Sequence, residues 1–146
     1  MTMPTTSPES LVENFSQSVA GVLPADKIDS AVQALKVFAS SSAYVANANV
    51  FSAVVYVQLT VNVIDGNNFD GKSDGISSPG AGEFLGSLFT NDIDNVYLNT
   101  SKFHYSAGPT IFSLSFLDGQ SNLLGYFQSG GLSSVIGTGS GSGHWG

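Results

Sequence analysis

Val55-Tyr56-Val57-Gln58-Leu59-Thr60-Val61-Asn62-Val63 changes character at every residue, aliphatic at odd positions and polar or aromatic at even ones. A period of two puts the valines and Leu59 on one side of an extended chain and Tyr56, Gln58, Thr60 and Asn62 on the other, as in a strand with one buried and one wet face. Asp65-Gly66 then closes the strand as a turn, and 67–82, rich in Gly, Ser, Asp and Pro, reads as a loop with at most a short strand inside.

The same alternation returns downstream. Phe112, Leu114 and Phe116 alternate with Ser113 and Ser115, Asp118-Gly119 marks a hairpin, and Leu124, Tyr126 and Phe127 precede a Gly130-Gly131 turn. With further segments at 44–50, 84–90 and 96–105, the chain carries roughly seven or eight strands, which favours a sandwich or closed barrel. Between Leu98 and Phe103 the apolar phase slips from even to odd numbers, as a bulge near Thr100 would produce.

The last segment sets Gly137, Gly139, Gly141 and Gly143 against Thr138, Ser140, Ser142 and His144. Read as a strand, it has one side without side chains, so backbone or rings approach closely, and Trp145 falls on that same side. The alternative is a flexible Gly/Ser tail.

The start of the chain has a different period. Ser7-Pro8 is an N-cap followed by proline at the first helical position, and Leu11, Phe15, Val19 and Val22 recur at helical spacing, giving a helix over 8–22. Asp26 caps a second helix ending near Ala39, with an apolar stripe of Ile28, Ala31, Val32, Leu35 and Phe38. Helices this short need a surface to dock on. The expected organisation is therefore a helical segment, 1–40, leading into an all-β barrel domain, 41–146.

Of the 146 residues, 42% are hydrophobic and only 10% charged, against roughly 25% charged in an average domain. The net charge is −7 and the four lysines (Lys27, Lys36, Lys72, Lys102) are scattered in sequence, so nucleic acid is excluded as a partner and attraction to anionic lipid is disfavoured. No apolar run is long enough for a transmembrane helix, residues 1–10 lack the pattern of a signal peptide, and cysteine is absent, which leaves the redox compartment open.

No residue pattern points to catalysis. Gly71-Lys72-Ser73-Asp74-Gly75 fits a nucleophile elbow in letters only, since the motif needs a buried strand before it and a helix after it. His104 and His144 are the two candidate bases for Ser73. Asp65, Asn67, Asn68, Asp70 and Asp74 supply oxygen ligands of the kind calcium takes, but an EF-hand register places Phe69 or Lys72 where a ligand belongs. Turn acids are the simpler reading, also for Asp92 and Asp94. Gly80-Ala81-Gly82-Glu83-Phe84-Leu85-Gly86 has the wrong spacing for a dinucleotide loop. Catalytic residues, metal ligands and cofactors are thus expected to be none.

From Val45 to Trp145 the chain resembles the virulence-associated (Vap) protein family of intracellular actinobacterial pathogens. The residues that carry this are Ser52-Ala53-Val54-Val55-Tyr56 running into Thr60-Val61-Asn62-Val63, then Phe69-Asp70-Gly71, Pro79-Gly80-Ala81-Gly82 and Leu88-Phe89-Thr90. The later block Asn122-Leu123-Leu124-Gly125-Tyr126-Phe127-Gln128-Ser129-Gly130 and the closing glycine repeat are stronger still. The resemblance implies a compact eight-stranded antiparallel Greek-key barrel, here preceded by two short N-terminal α-helices, with its interior filled by side chains. It also implies a secreted or cell-surface protein without known catalytic residues, acting on host phagosomes or lysosomes through host membrane lipid or host protein. Residues 1–40 depart from the family, whose members carry a signal and a variable segment there.

A non-enzymatic secreted effector is the first expectation. The alternative is a small-molecule (lipid-like ligand) binding β-barrel, motivated by Phe103, Tyr105, Phe112, Phe116 and Tyr126, since eight strands just enclose a small ligand. A hydrolase centred on Ser73 is the third.

Overall fold

The computed structural model describes residues 8–41, 43–53, 55–73, 78–108, 111–130 and 135–146. Its strands are β1 (Ala43–Ser52), β2 (Val57–Val63), β3 (Asn68–Ser73), β4 (Gly80–Phe89), β5 (Lys102–Ala107), β6 (Ile111–Leu117), β7 (Leu123–Gly130) and β8 (Gly137–Trp145). Every pairing is antiparallel and the strands close in the order β1-β2-β3-β8-β5-β6-β7-β4. Around the ring this is 4-1-2-3 followed by 8-5-6-7, two Greek keys side by side.

The alternation read in β2 is the alternation observed: Val57, Leu59, Val61 and Val63 are buried and Gln58, Thr60 and Asn62 face out. Val55 lies before the strand, 65% exposed. Eight strands leave room for side chains and little more. Here aromatic rings take that room: Phe69 meets Phe103 at 5.7 Å and Phe116 at 5.1 Å, while Phe84 stacks on Phe112 at 4.5 Å.

The glycine repeat is a full strand, β8, between β3 and β5. A Cβ on Gly139 would lie 2.7 Å from Cε1 of Tyr105, and one on Gly141 would meet the Lys72 carbonyl and come within 2.9 Å of Cζ of Phe103. Large rings on one side of the interior are matched by bare backbone on the other. Trp145 continues the glycine side and is buried against Phe69 and Phe116.

Several sequence expectations change. Residues 67–82 are not mainly loop, because β3 spans the gap between β2 and β8 with Phe69, Gly71 and Ser73 turned inward; Asp74, Gly75 and two residues beyond lie outside the described residues. The strand expected over 96–105 is a helix followed by a strand. Asp92 Oδ1 accepts from the Asn95 amide at 3.1 Å and starts α3 (Ile93–Asn99), and Thr100 Oγ1 donates to the Val96 carbonyl at 2.6 Å where the helix ends. The phase slip at Thr100 is thus a change from helical to extended chain, and the register shift lies instead at Phe116/Leu117. Among the described residues α3 is thus a third helix, beside the two N-terminal ones that precede the barrel as expected.

The first two helices are α1 (Pro8–Val19) and α2 (Ala25–Ala39). Ser7 and Gly131 fall outside the described residues. Pro24, not Asp26, occupies the N-cap of α2, without a side-chain cap bond. Leu11, Phe15 and Val19 of α1 with Leu35 and Phe38 of α2 are buried, in one cluster with Tyr126 of β7. The hairpin therefore docks on the barrel's outer wall, and Ser113 and Ser115, on the strand face that alternation assigns to water, are buried beneath it. Each such large apolar side chain contributes about 1.5–3 kcal/mol on burial, so the cover is held mainly by apolar contact.

Candidate functional site: the two halves of the outer wall

Under α1, outward polar side chains of β8, β5 and β7 have found partners, while the buried Ser115 hydroxyl of β6 has none among the described residues. Nε2 of His104 lies 2.7 Å from the Ser18 carbonyl of α1, and Nδ1 lies 2.8 Å from Oγ of Ser140. A carbonyl only accepts, so Nε2 carries the proton and Nδ1 accepts from the Ser140 hydroxyl. Burial lowers the imidazole pKa below its ordinary 6.5, opposed by the Ser18 carbonyl. Nearby, burial pushes the Tyr126 phenol up to about 12 against a bond to Ser113, and its hydroxyl lies 3.3 Å from Gln128 Oε1. Asn14 of α1 reaches the same Gln128 oxygen at 3.4 Å.

Ser73 is on the other side of the wall. Its hydroxyl points inward and donates to the Ser140 backbone carbonyl at 2.9 Å. It sits within β3, not on a turn between strand and helix, and the sheet separates it from His104. His144 faces outward from β8 opposite Asp70, again away from the Ser73 hydroxyl. Neither candidate base meets the candidate nucleophile.

The oxygen-rich stretch also divides. Asp65 occupies the β2–β3 turn with φ 60°, the Asn67 amide donates to the Tyr97 hydroxyl at 3.3 Å, and Asn68 and Asp70 point outward from β3. Among the described residues no group of three His, Cys, Asp or Glu side chains is placed to hold a metal ion. Of the aromatic residues considered as ligand contacts, Phe103, Tyr105, Phe112 and Phe116 fill the interior. Tyr126 is a correction: it faces out, edge-on to Phe15 at 5.7 Å.

Among the described residues, helix contacts with the remaining half of the wall, over β4, β1, β2, β3 and β8, are chiefly those of α2 with β4 and α3 with β8, and the outward rows that run across β1, β2 and β3 lie open. The strand register there aligns Glu83, Asn49, Thr60, Asp70 and His144 in one row, and Phe51, Gln58, Lys72 and Ser142 in the next. Lys102 continues the second row beyond Ser142, so two lysines distant in sequence share a rung. Two grooves follow these rows. One of about 460 Å³ is lined by Asn49, Phe51, Gln58, Thr60 and Glu83, and one of about 430 Å³ by Gln58, Asp70, Lys72, Ser142 and His144. Sequence reading missed this surface because alternation tells which residues face out but not which of them lie abreast.

With that geometry in hand, comparison with known proteins is decisive on kinship. The family model described as Rhodococcus equi virulence-associated protein matches residues 2–146. The chain belongs to that family. The match takes in the helical segment that the resemblance over Val45 to Trp145 left aside. Among solved virulence-associated proteins of the intracellular pathogen Rhodococcus equi, VapB is 40% identical with a TM-score of 0.68, sharing 72% of this chain and 96% of its own. VapD is 34% identical with a TM-score of 0.70, sharing 72% of this chain and 97% of its own. Comparison with curated proteins gives no match. Among the described residues no helix of this family member is long and apolar enough to cross a membrane.

Proposed function

We propose that this virulence-associated family member is a non-enzymatic secreted effector that acts by surface contact with host protein or host membrane lipid at the phagosome. The observation that supports it most is the filled interior: aromatic rings occupy the barrel, and the grooves among the described residues lie on its outside. The division of Ser73 from His104 by the sheet removes the serine-hydrolase arrangement. A ligand seated inside would have to displace the stacked Phe84 and Phe112 and the Phe69 cluster. We assign the contact role to the barrel, 41–146, and a covering role to 1–40.

A net charge of −7 makes charge attraction to anionic lipid a poor driving force. Membrane contact would rest on outward apolar side chains such as Phe51, Leu85 and Val45, all about half exposed or more. Flotation with phosphatidylcholine vesicles, with and without phosphatidylserine, and affinity capture from phagocyte extract with identification of the captured protein test this. The reading expects salt-insensitive binding to vesicles or a saturable host protein complex. Binding to neither would overturn it.

A further inference from the structure

We infer that the uncovered half of the wall is a binding site for a neutral oligosaccharide laid across β4, β1, β2, β3 and β8. This goes beyond the effector reading and does not depend on it.

The two halves of the wall treat their polar side chains in opposite ways. Under α1, His104, Ser140, Tyr126 and Gln128 are engaged with one another or with the helix. On the open half, Asn47 Nδ2 holds Glu83 Oε1 at 3.1 Å, while Asn49, Thr60, Asp70, Ser142 and His144 make no side-chain hydrogen bond. The row from Glu83 to His144 thus presents a carboxylate held on one oxygen by Asn47, then an amide, a hydroxyl, a second carboxylate and an imidazole whose side chains bond to no other protein group among the described residues. Strands about 4.8 Å apart make that row about 19 Å long, the span of a short linear saccharide.

Aromatic faces complete the chemistry. Phe51, 54% exposed, lines the first groove, and Tyr56 lies under the Lys72 ammonium at 5.7 Å beside the second, with its hydroxyl 3.5 Å from Gln58 Oε1. The two grooves meet at Gln58. Amides and carboxylates exchange paired hydrogen bonds with neighbouring hydroxyls, and an aromatic face takes the C–H side of a sugar ring.

Charge selects among occupants. Lys72 and Lys102 balance Asp70 and Glu83 on this face, so it is electrically even. A phosphate backbone would run against both carboxylates. Phe51, Leu85 and Val45 stand out of this face singly, divided by the rows of amides and hydroxyls, so a polyhydroxylated ligand matches the rows more fully than a lipid surface does.

The test is titration of the full chain with maltohexaose, cellohexaose, mannohexaose and chitohexaose, followed by amide chemical shifts and calorimetry. The expected result is saturable, salt-insensitive binding of at least one of them in the millimolar range or tighter, with shifts confined to β1, β2, β3, β4 and β8. Phe51→Ala and Asn49→Ala should each weaken it roughly tenfold. Val37→Ala, on the exposed side of α2, should leave it unchanged, and unaltered dichroism and melting establish that all three variants fold. Binding of none of the four sugars, binding indifferent to Phe51 and Asn49, or affinity that collapses with salt would overturn the inference.

Discussion

Ser73 and His104 touch the same residue from opposite sides of one sheet: the Ser73 hydroxyl donates to the Ser140 carbonyl at 2.9 Å inside the barrel, and the Ser140 hydroxyl meets His104 Nδ1 at 2.8 Å outside. Residues that stand close in space are thereby kept from forming a nucleophile and base, and both become structural ties to β8.

The first consequence concerns Ser73→Ala. The substitution removes a buried hydrogen bond to β8 and should cost about 1 kcal/mol in urea unfolding, the usual worth of such a bond. Turnover of a panel of ester substrates should be the same for both proteins. Any hydrolysis that disappears with the hydroxyl would contradict the assignment.

The tie between α1 and the barrel responds to acid. Burial lowers the His104 pKa below its unfolded value of 6.5, so the unfolded chain binds the proton more readily. The stability this gives is fully present above pH 6.5 and is lost as pH falls from there toward the folded pKa. Burial of Leu11, Phe15 and Val19, at about 1.5–3 kcal/mol each, holds α1 on the barrel whichever way His104 is protonated. Stability measured between about pH 7 and pH 5 should therefore decline in part through His104, and His104→Gln should flatten that part of the slope, while α1 amides stay protected from hydrogen exchange in the wild type. An unchanged slope in the variant would exclude His104 as the responsible group.

Phe15→Ala addresses the cover itself. Phe15 is fully buried and edge-on to Tyr126, so its truncation should cost about 3–5 kcal/mol, mostly in the hairpin. Trypsin reads this directly, because the chain has no arginine and its lysines divide evenly, with Lys27 and Lys36 in α2 and Lys72 and Lys102 in barrel strands. Cleavage should accelerate at the first pair and not at the second. Equal acceleration at all four would mean that hairpin and barrel unfold as one unit.

Gly141→Ala puts a methyl group against the Lys72 carbonyl and 2.9 Å from the Phe103 ring. Backbone on one side and a packed ring on the other leave little freedom to yield, and a loss of about 1–3 kcal/mol in thermal or urea unfolding is expected. A neutral result would mean that β8 does not lie against β3 as described.

These elements show which features a single sequence makes legible. In β2 and β8 the alternation is unbroken, so parity alone separates inside from outside, and Trp145 obeys it. Strand β3 was obscured because its inward residues are one phenylalanine, one glycine and one serine, too small a hydrophobic signal beside Asp70 and Lys72. Helix α3 was hidden by Val96, Tyr97 and Leu98, which fit a strand as well as one helical turn; the Asp92 cap was the available clue. The outer-wall rows were out of reach for another reason. Glu83, Asn49, Thr60, Asp70 and His144 become neighbours only through strand register, which depends on closure of the barrel. Tyr126 was assigned to the wrong side because Leu123 and Leu124 beside it both point into apolar clusters where the register shifts.

The central claim is that the barrel has no room within and works from its outer surface. Methyl-resolved NMR during titration with lauric acid tests it most directly, following Leu59, Val61 and Leu114 inside and Val45 and Leu85 outside. The account predicts interior methyl signals that do not move at any fatty-acid concentration, whatever happens at the outer pair. Saturable shifts converging on Leu59, Val61 and Leu114 would show an interior that opens for a ligand and would contradict it.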